Sequence, residues 1–227
     1  MPFPDLSDRL REVRDRIDSA VRRGGHGQAV TIVAVTKTHG PDAVQAAWDA
    51  GIQNVGENRV QEALPKMDAV TVPVRWHLIG HLQRNKVKSL ARFDLLHSLD
   101  SGRLADSVNE FGVAANTPVN ALMQINVVGE ESKGGYAPDD WQSEAERLRG
   151  CAGLQMLGVM TMAPLDADER TLRTTFSGAR RAREILRAAG HNATELSMGM
   201  SSDYEVAVEE GATHIRLGTI LFGARPA

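Results

Sequence analysis

The sequence has one cysteine, no long apolar run and no excess of basic residues, and each absence excludes a class of protein. Cys151 alone cannot form an internal disulfide or supply the thiolates of a cysteine-built zinc site. A single cysteine is typical of a reducing compartment. No apolar segment reaches the roughly 18 residues that cross a bilayer. Residues 1–23 are charged throughout, unlike a signal peptide. We therefore expect a soluble, cytoplasmic protein with no membrane-spanning segment.

The charge balance argues against nucleic acid as a partner. The formal net charge is -3 and the pI about 6.2, so no strong positive field surrounds the chain. Of the 227 residues, 42% are hydrophobic and 24% are charged, which suits a globular domain. No linker or low-complexity tract interrupts the sequence, so we expect residues 1–227 to form a single domain.

Apolar segments typical of strands alternate with amphipathic segments typical of helices. Thr31–Val35 is apolar and largely β-branched, as expected of a parallel strand buried on both faces. An amphipathic helix, with apolar residues at helical spacing from Leu6 to Val21, precedes it. The eight predicted strands lie within residues 31–35, 52–57, 74–82, 93–100, 119–128, 154–164, 193–202 and 213–223.

Regular alternation of this kind predicts a parallel sheet. Eight strand–helix units can close into a (β/α)8 TIM-type barrel, in which the opening helix fills the ring position after the last strand. The rival fold, an open doubly wound sheet, favours a glycine-rich turn after its first strand. The segment "TKTHGP", residues 36–41, contains no such turn. The sequence therefore favours an α/β fold with a single barrel.

In such a barrel the carboxyl ends of the strands and the loops after them form one concave site. Candidate site residues follow almost every predicted strand. They are Lys37, Glu57, Asn58, His77, Gly80, His81, His97, Ser98, Asp100, Asn126, Glu130, Glu131, Ser132, Lys133, Met160, Thr161, Arg216, Gly218 and Thr219, with "SMGMSSD" after the seventh strand.

Several chemistries compete for these residues. The histidines stand singly on different strands, without HxH or HExxH spacing, so we expect no metal. "SMGMSS" lacks the GxSxG turn of a serine nucleophile. We expect His77 and His97 to be hydrogen-bonded histidines that support the barrel mouth.

Lys37 stands at the end of a buried strand, where a lysine can extend toward solvent, pair with Glu57 or act chemically. A half-buried lysine has a lowered pKa, which frees its amine to form a Schiff base with a carbonyl. "SMGMSS" and "GT" place small residues and backbone N–H groups after the seventh and eighth strands, the usual phosphate site of this barrel. The helix after "SMGMSS" points an N-terminus the same way. With Arg216 as a polar partner of the ring, these features suggest pyridoxal phosphate. A sugar phosphate aldolase uses the same two features, so the residues alone leave both open.

Longer motifs carry a resemblance that decides between these possibilities. The segments "VAVTKT", "GENRVQE", "WHLIGHLQRNK", "HSLDS", "INVVGEESKGG", "GVMTM" and "LSMGMSSDYEVAVEEGATHIRLGTILFG" occur in this order. With them, the chain resembles the pyridoxal phosphate-binding YggS/PROSC family, the pyridoxal phosphate homeostasis proteins, along nearly its whole length. "WHLIGHLQRNK" and "LSMGMSSDYE" are the most specific motifs. The family is similar to the barrel domain of bacterial alanine racemase and eukaryotic ornithine decarboxylase.

The resemblance implies a Schiff base between Lys37 and pyridoxal 5′-phosphate, with Arg216 beside the pyridine nitrogen. An arginine there stays charged, so the nitrogen stays unprotonated and the ring is a weaker electron sink. The resemblance assigns the remaining positions to the phosphate (Ser201, Gly218 and Thr219), to the borders of the ring (Asn58 and Met160) and to its vicinity (His81).

Two positions at the rim depart from the family pattern. Arg59 follows the "GEN" asparagine, where the family more often has tyrosine. The family commonly has lysine-proline after "SKT", whereas this chain has Thr38, His39 and Gly40 before its proline. These changes concern substrate access rather than attachment of the cofactor to Lys37.

The resemblance implies a non-catalytic protein that buffers pyridoxal phosphate and delivers it to apoenzymes. The alternative is an amino-acid racemase, which needs acid and base groups on both faces of the α-carbon. In alanine racemase the second base is a tyrosine from an added β-domain, which we do not expect here. The tyrosines of this chain are Tyr136, in a loop, and Tyr204, beside the phosphate motif. We expect a monomer, and a solvated loop around Lys133, with an exit route or docking surface as its alternative role.

Overall fold

The computed structural model describes residues 3–129 and 134–223. Its centre is a closed barrel of eight parallel strands, in which each strand pairs with the next along the chain and the last pairs with the first. The strands are β1 Thr31–Val35, β2 Asn54–Glu57, β3 Arg75–Leu78, β4 Leu95–Leu99, β5 Val119–Gln124, β6 Leu154–Met160, β7 Glu195–Ser197 and β8 His214–Leu217. The predicted (β/α)8 barrel is confirmed.

Helices surround this barrel. They are α1 Leu6–Gly24, α2 Pro41–Asp49, α3 Val60–Ala69, α4 Gly102–Ala114, α5 Trp141–Leu148, α6 Glu169–Ala188, α7 Tyr204–Glu209 and α8 Thr219–Phe222, with 3-10 helices at Arg84–Arg92 and Pro138–Asp140. Because α8 is a single turn, α1 packs against both α7 and α8 and fills the outer ring beside the last strand. Within residues 3–129 and 134–223, no helix is long and apolar enough to cross a membrane.

Several elements differ from the sequence prediction in type or in length. Between β3 and β4, where the alternation predicts a helix, Arg84–Arg92 is a 3-10 helix, and its buried Val87 and Leu90 lie three residues apart, which is the repeat of that helix. The eighth strand ends at Leu217 and does not run on to residue 223. Gly218 leaves the extended conformation at φ -117° and ψ -82°, and α8 begins at Thr219. The chain therefore turns across the mouth of the barrel directly after β8.

The interior of the barrel is divided into an apolar and a polar part. Alternate side chains of a strand face inward. On β4, β5 and β6 the inward side chains of Leu95, Leu122 and Met160 form an apolar cluster. Elsewhere the interior contains buried polar side chains, among them His77 and Arg216. Interiors of such barrels are usually filled by branched apolar residues, so the polar part requires a separate explanation.

Candidate functional site

A cavity of about 740 Å³ lies at the carboxyl ends of the strands. It brings together residues from all parts of the chain, as expected for this end of a parallel barrel. Its lining consists of Val35, Lys37, Asn58, Ile79, Gly80, His81, Asp100, Gln124, Gly134, Met162, Met200, Ser201, Ser202, Arg216, Gly218 and Thr219. Seven of the eight residues that the sequence assigns to the cofactor are among them.

Lys37 lies two residues beyond the end of β1 and is half-buried at the cavity wall. Backbone bonds fix the turn that carries it. The N–H of Thr36 donates to the carbonyl of Gly56 at 3.1 Å, and the N–H of His39 donates to the carbonyl of Thr36 at 3.1 Å. Thr38 has φ +69°, a region that β-branched residues rarely adopt. Such a conformation costs about 1–3 kcal/mol and is typical of functional sites.

A buried ion pair anchors the end of β1 just before this lysine. The ammonium of Lys66, on α3, contacts Glu57 Oε1 at 2.5 Å and the carbonyl oxygen of Thr36 at 2.8 Å. The hydroxyl of Thr36 donates to the same Glu57 oxygen at 2.5 Å. Glu57 thus forms its ion pair with Lys66, which reaches it from α3, rather than with Lys37. Three elements, β1, β2 and α3, are joined directly behind the Lys37 turn.

Backbone N–H groups converge on one side of the cavity. Those of Gly218 and Ile220 each lie 3.4 Å from the hydroxyl oxygen of Ser201. The turn that carries Ser201 is closed by Asp203, whose carboxylate accepts from the N–H of Met200 at 2.5 Å. Two N–H groups and a hydroxyl at one point form an arrangement that suits an anionic oxygen. The residues predicted to bind phosphate therefore lie together.

Arg216 reaches the cavity floor from inside the barrel. It is 4% exposed, and its guanidinium donates to the hydroxyl of Ser197 at 2.6 Å and to the carbonyl of Thr161 at 3.0 Å. Burial lowers the pKa of Arg216 to about 10, so the guanidinium remains charged at neutral pH. The site thus has the Lys37 side chain at one wall, N–H donors at another and a buried cation beneath.

The opposite rim is formed by His81 and Asp100. His81 Nδ1 contacts Asp100 Oδ2 at 2.7 Å, and the His81 side chain is 70% exposed whereas that of Asp100 is 10% exposed. Asn58 and Gly80 adjoin this pair. A Cβ on Gly80 would lie 2.3 Å from the carbonyl oxygen of Asn58, so only glycine permits the two chains to approach this closely.

Met160 is the exception among the predicted site residues. It is fully buried, packs with Leu95 and Leu122, and lies outside the cavity lining. Because β6 ends at Met160, its inward side chain belongs to the layer beneath the cavity, and Met162 borders the cavity instead. The placement of Met160 at the ring border therefore stays a prediction, and Met162 lines the cavity beside it.

The sequence interpretation also missed Gln124. Its side-chain amide donates to the carbonyl of Gly134 at 2.7 Å, and both residues line the cavity. The predicted fifth strand ran to residue 128, whereas β5 ends at Gln124. The alternation of inward side chains along β5 was the available signal, and it points to Gln124 once the strand end is set correctly. Glu130, Glu131, Ser132 and Lys133 lie outside the described residues.

The tyrosines that an enzymatic role would need lie elsewhere. Tyr136 is buried and donates its hydroxyl to Glu144 at 2.6 Å, and burial together with this bond raises the pKa of Tyr136. Tyr204 is 3% exposed on α7, and burial raises its pKa as well. Neither tyrosine lines the cavity.

His77 and His97 are buried deeper than the mouth. They face each other in the barrel interior, with His77 Nδ1 2.8 Å from His97 Nε2. Burial lowers the pKa of both imidazoles, that of His77 to about 3. Within the described residues, no group of three or more histidine, cysteine, aspartate and glutamate side chains is arranged to hold a metal ion.

A second cavity of about 740 Å³ lies at the amino ends of the strands. Its polar lining includes Arg75, Asp94, Glu195 and His214. Size therefore does not distinguish the two ends of the barrel.

Comparison with known proteins connects this geometry to a family. Residues 9–226 match the family model described as alanine racemase, N-terminal domain. The pyridoxal phosphate homeostasis protein of Aquifex aeolicus is 39% identical over 222 residues, which cover 96% of this chain and 97% of that protein. The structure of PipY from Synechococcus elongatus PCC7942 with PLP bound has a TM-score of 0.85 at 35% identity, covering 96% of this chain and 100% of that chain. Alanine racemase from Corynebacterium glutamicum shares the fold, with a TM-score of 0.72 at 17% identity over 93% of this chain and 61% of that chain.

Proposed function

This chain belongs to the alanine racemase N-terminal domain family, in the branch of the pyridoxal phosphate homeostasis proteins, and on that premise we propose that it binds pyridoxal 5′-phosphate and serves its homeostasis. The protein buffers or delivers the cofactor and has no robust catalytic activity. One observation carries this proposal: Lys37, Arg216 and the Ser201–Gly218–Thr219 group line the same cavity of about 740 Å³.

The chemistry of the lining fits the parts of this cofactor. When bound, pyridoxal phosphate supplies an aldehyde that reacts reversibly with amines. Lys37 offers the amine, from a turn fixed by backbone bonds and by the Lys66–Glu57 ion pair. The hydroxyl of Ser201 and the N–H of Gly218 offer donors to a phosphate.

Arg216 would face the heterocyclic nitrogen. Its side chain donates and never accepts a hydrogen bond, so it pairs with an unprotonated ring nitrogen. His81, Asn58 and Thr219 complete the polar rim around the ring and the phosphate. Together these residues bind and orient the ligand, and the charge of Arg216 discourages ring protonation.

The position of the tyrosines supports a carrier rather than a racemase. A racemase needs an acid or base on each face of the reacting carbon. The hydroxyl of Tyr136 is bonded to Glu144, and Tyr204 is buried on α7. We further propose that the barrel acts as a single domain and a monomer in the cytoplasm, with PLP-dependent apoenzymes as recipients.

The decisive test is visible absorption of the protein with added pyridoxal phosphate, followed by borohydride reduction and peptide mapping. We expect a yellow species whose reduced adduct maps to Lys37. Lys88→Ala, which removes an exposed lysine, is the matched control and should leave the adduct in place. A colourless protein, or an adduct spread over surface lysines, would overturn the proposal.

The carrier role needs a separate measurement. The loaded protein is mixed with the apoenzyme of a PLP-dependent enzyme, and regain of that enzyme's activity is followed alongside production of D-alanine from L-alanine. We expect reactivation of the apoenzyme and no racemisation above a boiled control. Racemisation that disappears in Lys37→Ala would instead establish the alternative, a racemase.

A further inference from the structure

A continuous chain of hydrogen bonds crosses the polar part of the barrel interior. Arg216 Nη1 contacts Ser197 Oγ at 2.6 Å, and Ser197 Oγ contacts His97 Nδ1 at 2.8 Å. His97 Nε2 contacts His77 Nδ1 at 2.8 Å, and His77 Nε2 contacts Asn54 Oδ1 at 3.0 Å. The chain runs from the cavity at the carboxyl ends to the lining of the cavity at the amino ends.

The direction of every bond in this chain follows from its two ends. Asn54 Oδ1 only accepts, so His77 Nε2 carries a proton and, in the neutral ring, His77 Nδ1 accepts. His97 Nε2 must then donate, which leaves His97 Nδ1 to accept from the hydroxyl of Ser197. Independently, Arg216 only donates, so Ser197 Oγ accepts from it and has its own proton left for His97. Both ends give the same assignment, with each histidine protonated on Nε2.

Both histidines are neutral in this assignment, and their surroundings agree. His77 is 3% exposed and His97 fully buried. Burial and the neighbouring groups Arg216, Arg75 and His214 all lower the pKa values of His77 and His97. The side-chain partner of the buried guanidinium is therefore a neutral hydroxyl, itself held by neutral rings. A carboxylate in the place of Ser197 would offset the charge of Arg216 directly, whereas a neutral acceptor does not. The carboxylate of Asp203, which accepts from the N–H of Met200, acts on the charge of Arg216 and raises its pKa against the effect of burial.

We propose that Ser197, His97 and His77 are positioning residues that hold the guanidinium of Arg216 toward the cofactor cavity without neutralising its charge. The inference rests on the proposed function, because it gives Arg216 a ligand to face. It goes beyond that function in assigning a role to interior residues that touch no cofactor. It also explains why part of the barrel interior is polar.

The first test examines the hydrogen-bond chain in the protein without any ligand. Proton-coupled ¹⁵N NMR of the histidine rings at pH 7 distinguishes the two tautomers and the charged form. We expect His77 and His97 to be neutral and protonated on Nε2. A proton on Nδ1 of either ring, or a charged ring, would overturn the proposal. This result stands whether or not the protein binds pyridoxal phosphate.

The second test removes one link. Ser197→Ala leaves His97 Nδ1 without its donor and Arg216 Nη1 without its acceptor, and we expect the affinity for pyridoxal phosphate to fall roughly tenfold. The histidine tautomers should become mixed in the same variant. Ser197→Thr restores the hydroxyl and should recover the Nε2 tautomer and most of the affinity.

Thr175→Val is the matched control, because it also removes a fully buried hydroxyl, one that bonds Thr171 within α6. It should keep both the affinity and the tautomers. Ser197→Ala with affinity and tautomers equal to those of Thr175→Val would overturn the proposal. If Ser197→Ala does not fold, the tautomers of the unsubstituted protein still decide. If the unsubstituted protein binds no pyridoxal phosphate, the proposed function is wrong. The tautomers measured by NMR then test the interior hydrogen-bond chain by themselves.

Discussion

The two ends of the barrel carry cavities of the same volume, about 740 Å³ each. The two cavities differ in the partners that their charged side chains have. At the amino ends, Glu195 pairs with His214 at 3.1 Å, and the carboxylate of Asp94 accepts from the N–H of Trp76 at 2.7 Å. At the carboxyl ends, Arg216 is held by neutral partners and Lys37 stands on a fixed turn at the cavity wall. The difference teaches that a binding site is identified by what its charges face rather than by its size.

The largest effect should come from Lys37, at the carboxyl-end cavity. Lys37→Ala removes the amine that we propose reacts with the aldehyde, and we expect the dissociation constant for pyridoxal phosphate to rise about 100-fold or more, over about 2.7 kcal/mol. Arg75→Ala removes a cation from the lining of the other cavity and should change the constant less than about twofold. Equilibrium dialysis of both variants measures this. Equal losses in the two variants would contradict the contrast between the ends.

The second-largest effect is expected at the buried ion pair behind the Lys37 turn. The Lys66–Glu57 pair, with side chains 6% and 0% exposed, lies behind the Lys37 turn. Lys66→Met leaves the Glu57 carboxylate buried without its cation, and we expect a loss of about 3–5 kcal/mol in the free energy of unfolding. The double variant with Glu57→Gln should recover much of that loss. Urea titration followed by circular dichroism measures both, and a loss below about 1 kcal/mol would show that the anchor is dispensable.

The Glu195–His214 pair at the amino ends should contribute less to the free energy of unfolding, and its contribution should depend on pH. The bond from His214 lowers the pKa of Glu195 to about 2, below its unfolded value of about 4.3. The ionised carboxylate therefore stabilises the fold above pH 5, and this stability is lost as the pH falls toward 2. We expect about 2 kcal/mol or less, because the Glu195 side chain is 29% exposed.

Urea midpoints measured from pH 6 to pH 3 test this expectation. The unsubstituted protein should lose stability more steeply than Glu195→Gln, and the two curves should approach each other at the acidic end. Parallel curves would show that the His214–Glu195 bond contributes nothing.

The smallest effect is expected at Arg59, where the family more often has tyrosine. Its side chain is 75% exposed and forms an ion pair with Glu62 at 3.2 Å. Arg59→Ala should change the free energy of unfolding by less than about 0.5 kcal/mol and leave pyridoxal phosphate binding unaltered. A clear change in affinity would place this rim position in the site and would widen the contrast between the two ends.

The fold was predictable because it depends on patterns within short segments. Eight apolar segments alternating with amphipathic ones are sufficient to indicate a parallel barrel, and that barrel places Lys37, Ser201 and Arg216 at one mouth. The residues that border the cavity depend on where each strand ends, which was harder to predict: the fifth strand was expected to run to residue 128, whereas β5 ends at Gln124. Gln124 therefore lines the cavity, while Met160 packs with Leu95 and Leu122.

The interior hydrogen-bond chain could not be predicted from patterns of this kind. Its members stand on β2, β3, β4, β7 and β8, and their contacts depend on how far each strand is shifted along its neighbour. The sequence of a strand does not show whether its histidine lies at the mouth of the barrel or forms a hydrogen bond with another histidine in the interior. Only the register of the closed barrel brings His97, Ser197 and Arg216 into one line.

The pairing of β1 with β8 also determines when during folding the site comes into existence. Thr31 aligns with His214 and Ala34 with Leu217, so the turn of Lys37 meets Gly218 only when the most distant strands of the barrel join. Contacts between such remote segments form late and slowly. A ribosome-bound chain that has not yet released β8 therefore has Lys37 but not the opposite side of its cavity. On the proposed function, stable retention of pyridoxal phosphate therefore requires the closed barrel, including its last strand.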